Sequence, residues 1–482
     1  MFANKTKGRI KLRCSQILVL FIIATTLISG CQSAPVATPT PTPRAKIESQ
    51  PITGGPVLLR SGISLRSAAN VGGGSIKLAV HPLTGDIYIL NPGNGLRRLK
   101  MDQTEELETV ADPKEMVENA TLSGMTFGPD GALYIVANQT VEKIYTQAII
   151  RKGIADANGT FQWKTLAQTE PYPLSNTPFD HLFNGAIVSA DGKWIYVNSG
   201  SRTDHGEVED NGKNFPDLRE AALTARILKL PTDAEDLILP NDEDALKANG
   251  LIYAWGTRNT YDMAFAPNGD LFGGDNGPDA DFPDELNWLR EGLHYGFPWK
   301  FGDQDNPQQL PDYTGVGDKR LSLDFTAVKN GTYRQDPTFP KSPGGFTQPV
   351  ANLGPDAAQY RTDDGAQHNA GEEGKPLYTF TPHRSPLGLV FVTSSNMPAD
   401  FRGDENTFGA FILSWGAAGG TLTDKGQDLL YLQLTKRDNN YESVTTQIAR
   451  EFKNPIDAVL IENRLYVLDF GSDGTLWELT FH

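Results

Sequence analysis

Thiol chemistry is nearly absent from this chain, which has two cysteines in 482 residues, Cys14 and Cys31. Both stand at the start, so the body can build neither a disulfide framework nor a thiolate metal site. Cationic charge is also in deficit, with 43 Lys and Arg against 59 Asp and Glu and a formal net charge of −16. That balance argues against nucleic acid as a partner and suits a soluble, acidic surface. Long amphipathic helical patterns are missing as well. The helical suggestions are short, at Glu220 to Ala225 and Asp242 to Ala248. Long apolar runs are limited to Ile17 to Ile28, which falls short of the roughly 20 residues that span a bilayer.

That run follows Lys5, Lys7, Arg9, Lys11 and Arg13, with no acidic residue among them, and ends in Ser29-Gly30-Cys31. Basic stretch, short apolar core and small residues before a cysteine read as a lipoprotein signal over residues 1–30, with an uncleaved signal anchor as the alternative. Cys31 is then the lipidation site, and loss of the leader's cations takes the mature chain near −21. Residues 31–52, with Thr38-Pro39-Thr40-Pro41-Thr42-Pro43, read as an extended tether. The expected location is outside the cytoplasmic membrane or in the periplasm, with the membrane engaged through the lipid alone.

The body, residues 53–482, carries an internal repeat. Leu78 to Pro82 followed by Gly85 to Ile89 recurs as Gly124 to Ile135, as Ala186 to Val197 and as Met263 to Phe272. Each copy is an alternating apolar strand, a turn of the Pro-Asp-Gly kind and a second strand with an aromatic, which is a hairpin signature. Degenerate copies follow at Leu387 to Val392 and Ala458 to Val467. Six hairpins at such spacing predict an all-β chain, a six-bladed β-propeller with long rim loops, in which each blade buries its neighbour's face. A decorated β-sandwich is the alternative. Irregular stretches near 200–220 and 300–375 are too long for idle connections and are expected to wall a cleft on one rim.

Two segments hold chemistry-bearing residues. Asp180-His181 places an imidazole beside a carboxylate on the loop entering the third hairpin, where the acid can orient the ring and raise its basicity. A hydrogen-bonded surface histidine is the plainer reading. Arg258 and Asn259, entering the fourth hairpin, can present forked donors to a carboxylate or quinone oxygen. Beyond them the Gly277 and Pro278 carbonyls and the acids Asp284 and Glu285 are the hard oxygen ligands that calcium prefers. The loop Asp204-His205-Gly206-Glu207-Val208-Glu209-Asp210 reads as a further cation site or a solvated charged loop.

In their order, Asp180-His181, Gly256-Thr257-Arg258-Asn259, Pro267-Asn268-Gly269, Gly277-Pro278, Asp284-Glu285-Leu286-Asn287 and Tyr295-Gly296-Phe297-Pro298 resemble the glucose/sorbosone dehydrogenase family. The resemblance is close from about 175 to 300 and runs in outline from about 55 to 482. It implies a quinoprotein that oxidises the CH–OH or aldehyde group of a sugar-like substrate with pyrroloquinoline quinone (PQQ) and passes electrons to an external acceptor. On that implication His181 is the general base, Asp180 supports its ring, and Arg258 and Asn259 contact the quinone oxygens. Gly277 and Pro278 hold a calcium at the cofactor, while Asp284, Glu285 and Tyr295 form a second calcium site. Asn119 stands where the family places a pocket glutamine. Where the family presents a lysine and arginines to the cofactor, this chain reads Phe411 to Gly416 and Asn454 to Asp457, which leaves Arg384 as the substitute cation. A calcium-stabilised propeller that binds carbohydrate or protein without redox chemistry is the alternative.

Overall fold

A computed structural model describes residues 54–482 except 103–105, 405, 417–419 and 472–473. The leader, Cys31 and the tether up to residue 53 lie outside the described residues. The innermost strands are β1 (Lys77–Val80), β2 (Thr121–Phe127), β3 (Phe183–Val188), β4 (Thr260–Phe265), β5 (Pro386–Phe391) and β6 (Pro455–Ile461). Each pairs antiparallel with the strand that follows it, so all six repeats of the sequence are the inner hairpins of six sheets. The fold is the expected six-bladed β-propeller. Blade four has only three strands among the described residues, ending in Glu285–Leu289. In blade six the outermost strand comes from the other end of the chain, where Ile63–Asn70 pairs antiparallel with Thr475–Phe481 and closes the ring.

Alternation sets the packing. Apolar side chains from adjacent blades meet in clusters, such as Val136 and Ile150 against Val197 and Leu228 between blades two and three. Between blades five and six, Phe411 and Leu413 meet Leu465, Leu479 and Phe481. The tight turns work because Gly131 and Gly269 adopt positive φ, 83° and 88°, which costs glycine nothing. Asp242 caps the one expected helix that forms, Glu243–Ala248, by accepting from the Ala245 N–H at 2.8 Å. The other helical expectation, Glu220 to Ala225, is a turn, because the Glu220 side chain is drawn to the Arg202 and Thr203 N–H groups instead.

At the axis the inner strands come unusually near one another. A Cβ on Gly124 would stand 1.9 Å from the Asn184 carbonyl oxygen, and one on Gly185 would stand 2.4 Å from that of Tyr261. Polar side chains stitch strand to strand there: the Ser123 hydroxyl donates to the Phe183 carbonyl at 2.8 Å, Asp262 accepts from the Leu389 N–H at 2.8 Å, and Asp457 accepts from the Leu78 N–H at 2.6 Å. Lys77 reaches from blade one to blade four, donating to Asp262 Oδ1 at 3.1 Å and to the Tyr261 carbonyl at 3.2 Å. Burial disfavours its charge, yet Asp262 and Asp457 hold the ammonium well above its ordinary pKa. Lys77→Met removes the cation and leaves the buried Asp457 and the part-buried Asp262 without it, so a loss of about 3–5 kcal/mol is expected in denaturant unfolding.

Candidate functional site

All six inner strands begin on the same rim, and the loops entering β3 and β4 bring His181, Arg258 and Asn259 together there. Gly200 makes this possible, since a Cβ at that position would stand 2.4 Å from His181 Cβ and 3.1 Å from Asn259 Oδ1. His181 Nδ1 lies 3.2 Å from the Ser201 carbonyl oxygen and 3.1 Å from Ser201 Oγ. The Ser201 hydroxyl donates its own hydrogen to the Thr203 carbonyl at 2.8 Å, so both neighbours of Nδ1 are acceptors. Nδ1 therefore carries the hydrogen and Nε2 the lone pair. Burial first, and the Arg258 charge second, push the imidazole pKa down to about 3 against the pull of the Ser201 and Phe179 carbonyls and Asp204. The ring is a neutral proton acceptor over the whole physiological range.

Asp180 does not support that ring. Its two oxygens accept the N–H groups of Ser175 and Asn176, each at 2.8 Å, and so tie down the turn before His181. Ser201, remote in sequence, takes the orienting role instead.

Arg258 is fixed from behind by Asp204. Nε donates to the Asp204 carbonyl at 2.7 Å, one terminal nitrogen to Asp204 Oδ1 at 2.8 Å, and the other to the Asn276 carbonyl at 3.2 Å. Two of its five N–H hydrogens remain beyond these three bonds. Asp204 is itself wholly buried, accepting from the Tyr333 hydroxyl at 2.9 Å and facing His205 Nδ1 at 2.7 Å, with the His205 ring stacked on Tyr333. Although burial works the other way, the His205 hydrogen bond and the Arg258 charge hold the Asp204 carboxyl far below its usual range. The 204–210 segment thus starts as a packed anchor for Arg258 rather than as a solvated charged loop. Sequence reasoning missed Ser201 and gave Asp204 only as part of a candidate cation loop, not as the partner of Arg258; the length of the 200–220 stretch was the available signal.

Asn259 Oδ1 accepts from Asn184 Nδ2 at 2.9 Å, and Asn184 Oδ1 is held in turn by Asn198 Nδ2 at 2.7 Å. This chain orients the Asn259 amide so that its NH₂ is the end without a protein partner among the described residues. The Asp275 carboxylate clamps the loop from below through the N–H groups of Arg258, at 2.8 Å, and Asn259.

The remaining expected residues divide. Gly277 and Pro278 lie beside Arg258, the Pro278 carbonyl accepting from the Ala280 N–H at 2.7 Å. Asp284 and Glu285 are already engaged: Asp284 accepts from the N–H groups of Gly277 at 2.6 Å and Ser385 at 2.8 Å, and Glu285 from Gly302 N–H at 2.6 Å and Asn287 Nδ2 at 2.9 Å. Tyr295 is elsewhere, its hydroxyl donating to the Trp288 carbonyl at 2.6 Å and accepting from the Arg290 N–H at 2.7 Å, at the opposite end of strand Glu285–Leu289. The expected second calcium site is therefore not assembled, and no group of three or more His, Cys, Asp or Glu suited to a metal occurs among the described residues. Asn119 is exposed at a left-handed turn entering β2, φ 59°, with no side-chain contact to His181, Arg258 or Asn259 among the described residues. Arg384 is on the expected rim, but its guanidinium is buried against Asp424 and Asp428 and is not a free cation.

Residues 124–318 match the family model described as Glucose / Sorbosone dehydrogenase. The matched segment holds His181, Ser201, Asp204, Arg258 and Asn259, and excludes Asn119 and Arg384. Among curated proteins, quinoprotein glucose dehydrogenase B of Acinetobacter calcoaceticus is 24% identical over 269 residues, covering 49% of this chain and 51% of that protein. The match thus spans about half of the relative's length. Among solved structures, the soluble aldose sugar dehydrogenase of Escherichia coli in its apo form superposes with a TM-score of 0.55 at 17% identity, over 87% of this chain and all of that one. The holo PQQ domain of pyranose dehydrogenase from Coprinopsis cinerea gives 0.53 at 12% identity, over 88% and 97%. These superpositions agree on the propeller.

Two outcomes follow from the buried charges. Asp204→Asn leaves Arg258 buried without its counter-ion, and unfolding stability is expected to fall by about 3–5 kcal/mol. Burial, then the Asp275 charge, push the Glu285 carboxyl up to about 8. Its neutral form is thus the one that stabilises the fold, an effect complete below the unfolded carboxyl pKa of about 4.5 and lost as pH rises to about 8. Glu285→Gln should flatten the decline in stability across that window, by on the order of a few kcal/mol, in unfolding curves recorded from pH 5 to pH 8.5.

Proposed function

We propose that this chain is an exported, lipid-anchored dehydrogenase of sugar-like substrates that works with PQQ. The observation that carries the reading is His181: a neutral imidazole with its Nε2 lone pair unclaimed, set beside the free NH₂ of Asn259 and the two spare N–H hydrogens of Arg258. A substrate hydroxyl that donates to Nε2 is positioned to lose its proton there, and burial keeps the ring from being protonated beforehand. The named relatives act as glucose, aldose sugar and pyranose dehydrogenases, which supports a carbohydrate CH–OH or aldehyde as the oxidised group.

The residues fit the quinone end of the cofactor. Arg258 and Asn259 offer donors without protein acceptors, the arrangement that binds carbonyl oxygens and steadies negative charge gathering on them. PQQ, when bound, supplies the electron-pair acceptor that no side chain of this protein can provide. Its carboxylate end is served less well, because Arg384 is neutralised by Asp424 and Asp428. On this reading the Gly277 and Pro278 carbonyls would hold a calcium beside the quinone, where it would polarise the cofactor, since Asp284 and Glu285 accept from other donors. The same shortage of free cations favours the second reading, a non-redox carbohydrate-binding propeller. Export rests on the leader and Cys31, and the electron acceptor is an external one.

The test is a titration of the metal-stripped protein with PQQ, with and without calcium, followed by absorbance and by sugar-dependent dye reduction. Calcium-dependent saturation is expected, with His181→Ala retaining quinone binding while turnover falls by about 10²–10⁴-fold. Turnover unchanged in His181→Ala would remove the base from the proposal. No binding with quinone near millimolar would leave the non-redox propeller.

A further inference from the structure

Outside the His181 rim site, a cleft of about 380 Å³ opens at the edge of blade five, within the roughly 300–1,000 Å³ range of small-molecule sites. One wall is the hairpin Gln359–Arg361 and Gln367–Asn369, whose first cross-strand pair is Gln359 and Asn369. The other is the rim end of strands Asp428–Arg437 and Asn440–Arg450, and Arg384 lies between. The Arg384 side chain is 1% exposed, and its terminal nitrogens are held by Asp424 and Asp428. Its Nε–H is a buried donor with no partner. Leaving such a donor unpaired costs about 1–3 kcal/mol.

Four polar side chains around this donor are each pinned at one end and open at the other. Gln359 Oε1 accepts from the Asp424 N–H at 3.0 Å and Thr423 Oγ1 at 3.1 Å, which leaves its NH₂. Asn369 Oδ1 accepts from the Glu372 N–H at 3.3 Å, which leaves its NH₂ also. Gln447 Nε2 donates to Asp428 Oδ2 at 2.6 Å, leaving its carbonyl oxygen, and Asp356 Oδ2 accepts the Gln447 N–H at 2.7 Å, leaving Oδ1. The open ends are donors at Gln359 and Asn369 and acceptors at Gln447 and Asp356, with the Arg384 Nε–H buried at the wall between them.

Ligand chemistry follows from that mixture. The cleft is lined by charges of both signs, Asp356, Asp424, Asp428 and Glu451 against Arg384, Lys425 and Arg450, so neither a cation nor an anion meets a wall of one opposite sign. A hydroxyl both donates and accepts, so a ring bearing several hydroxyls can answer both sets. We infer that the blade-five cleft is a binding site for a neutral saccharide unit, separate from the rim site at His181. The pinned side chains are already oriented, so binding need not order them first. The site does not depend on the dehydrogenase reading, because it is defined by binding without turnover.

The experiment is saturation-transfer NMR and calorimetry on the full-length protein without quinone, with maltose and cellobiose as neutral probes and glucuronate and glucosamine as charged ones. Saturable binding of a neutral disaccharide is expected. It should survive His181→Ala, weaken about 5- to 10-fold in Asn369→Ala as one hydrogen bond is lost, and vanish in Thr423→Trp, which obstructs the mouth from an exposed position. Tighter binding of either charged probe, binding lost in His181→Ala but kept in Asn369→Ala, or no binding at about 100 mM saccharide, far above the millimolar Kd that corresponds to some 4 kcal/mol, would each overturn the assignment. Thermal unfolding of Thr423→Trp matching the wild type shows that the loss is of the site and not of the fold.

Discussion

The closeness of the inner strands around the propeller axis is the constraint on which the rest of the molecule depends. Where a Cβ at Gly124 or Gly185 would strike the next strand's carbonyl, apolar side chains cannot separate the blades, and backbone groups are left facing one another. Unpaired polar groups in such a place are costly, so the chain answers them with short side chains, Ser123, Asn184, Asp262 and Asp457, each engaging the neighbouring blade. The register shifts in the inner hairpins of blades two to six lie beside these residues and turn them toward the next blade. Two of the stitches are carboxylates, and the buried Lys77 is their counter-charge across the channel. The ring closure at the chain ends and the apolar clusters between blades then act on a wheel whose hub is already polar and fixed.

Asn184 belongs to this hub and also to the rim site, and this explains how the site is held. One of its amide groups holds the Asn259 carbonyl oxygen while the other is held by Asn198, so the orientation of Asn259 is inherited from the strand stitching. Above it, carboxylates serve as staples: Asp275 for the Arg258-Asn259 loop, Asp284 for the loops at Gly277 and Ser385, Glu285 for Gly302. Each staple binds backbone N–H groups, and burial raises the Asp284 pKa and that of Glu285. Acids used in this way are poor candidates for a metal cage. Asp204 differs, because a guanidinium faces it, and the pair keeps Arg258 in place at the cost of desolvating both charges.

What could be read from the sequence was what repeats or what is local. Six hairpins announced themselves by alternation and turn chemistry, and their number and order survive in the structure. His181, Arg258 and Asn259 were legible because loops entering successive inner strands must share a rim. Asp180 misled because neighbours along a loop need not point the same way, and the nearest N–H groups, on Ser175 and Asn176, claimed its oxygens first. Tyr295 misled for a different reason: its backbone returns beside Trp255, but its side chain points back along strand Glu285–Leu289, so the hydroxyl ends at Trp288 and Arg290 and not beside Glu285. Ser201 was hidden because its role arises from the folding of the 200–220 loop back onto His181, and that of Asp204 because the loop also packs on the 279–340 region, pairings of irregular segments with no periodicity to reveal them.

The two ends of the rim show opposite treatments of arginine. Arg258 has one carboxylate partner and keeps two N–H hydrogens in reserve, so a ligand oxygen arriving there completes a set that the protein left open. Arg384 has two carboxylate partners on its terminal nitrogens and keeps only Nε–H, so its charge is spent even though one donor is not. An anionic ligand gains from the first and little from the second. Substituting one arginine for lost cations elsewhere therefore does not restore an anion site, because Asp424 and Asp428 cancel its charge while they hold the guanidinium in the wall of the cleft.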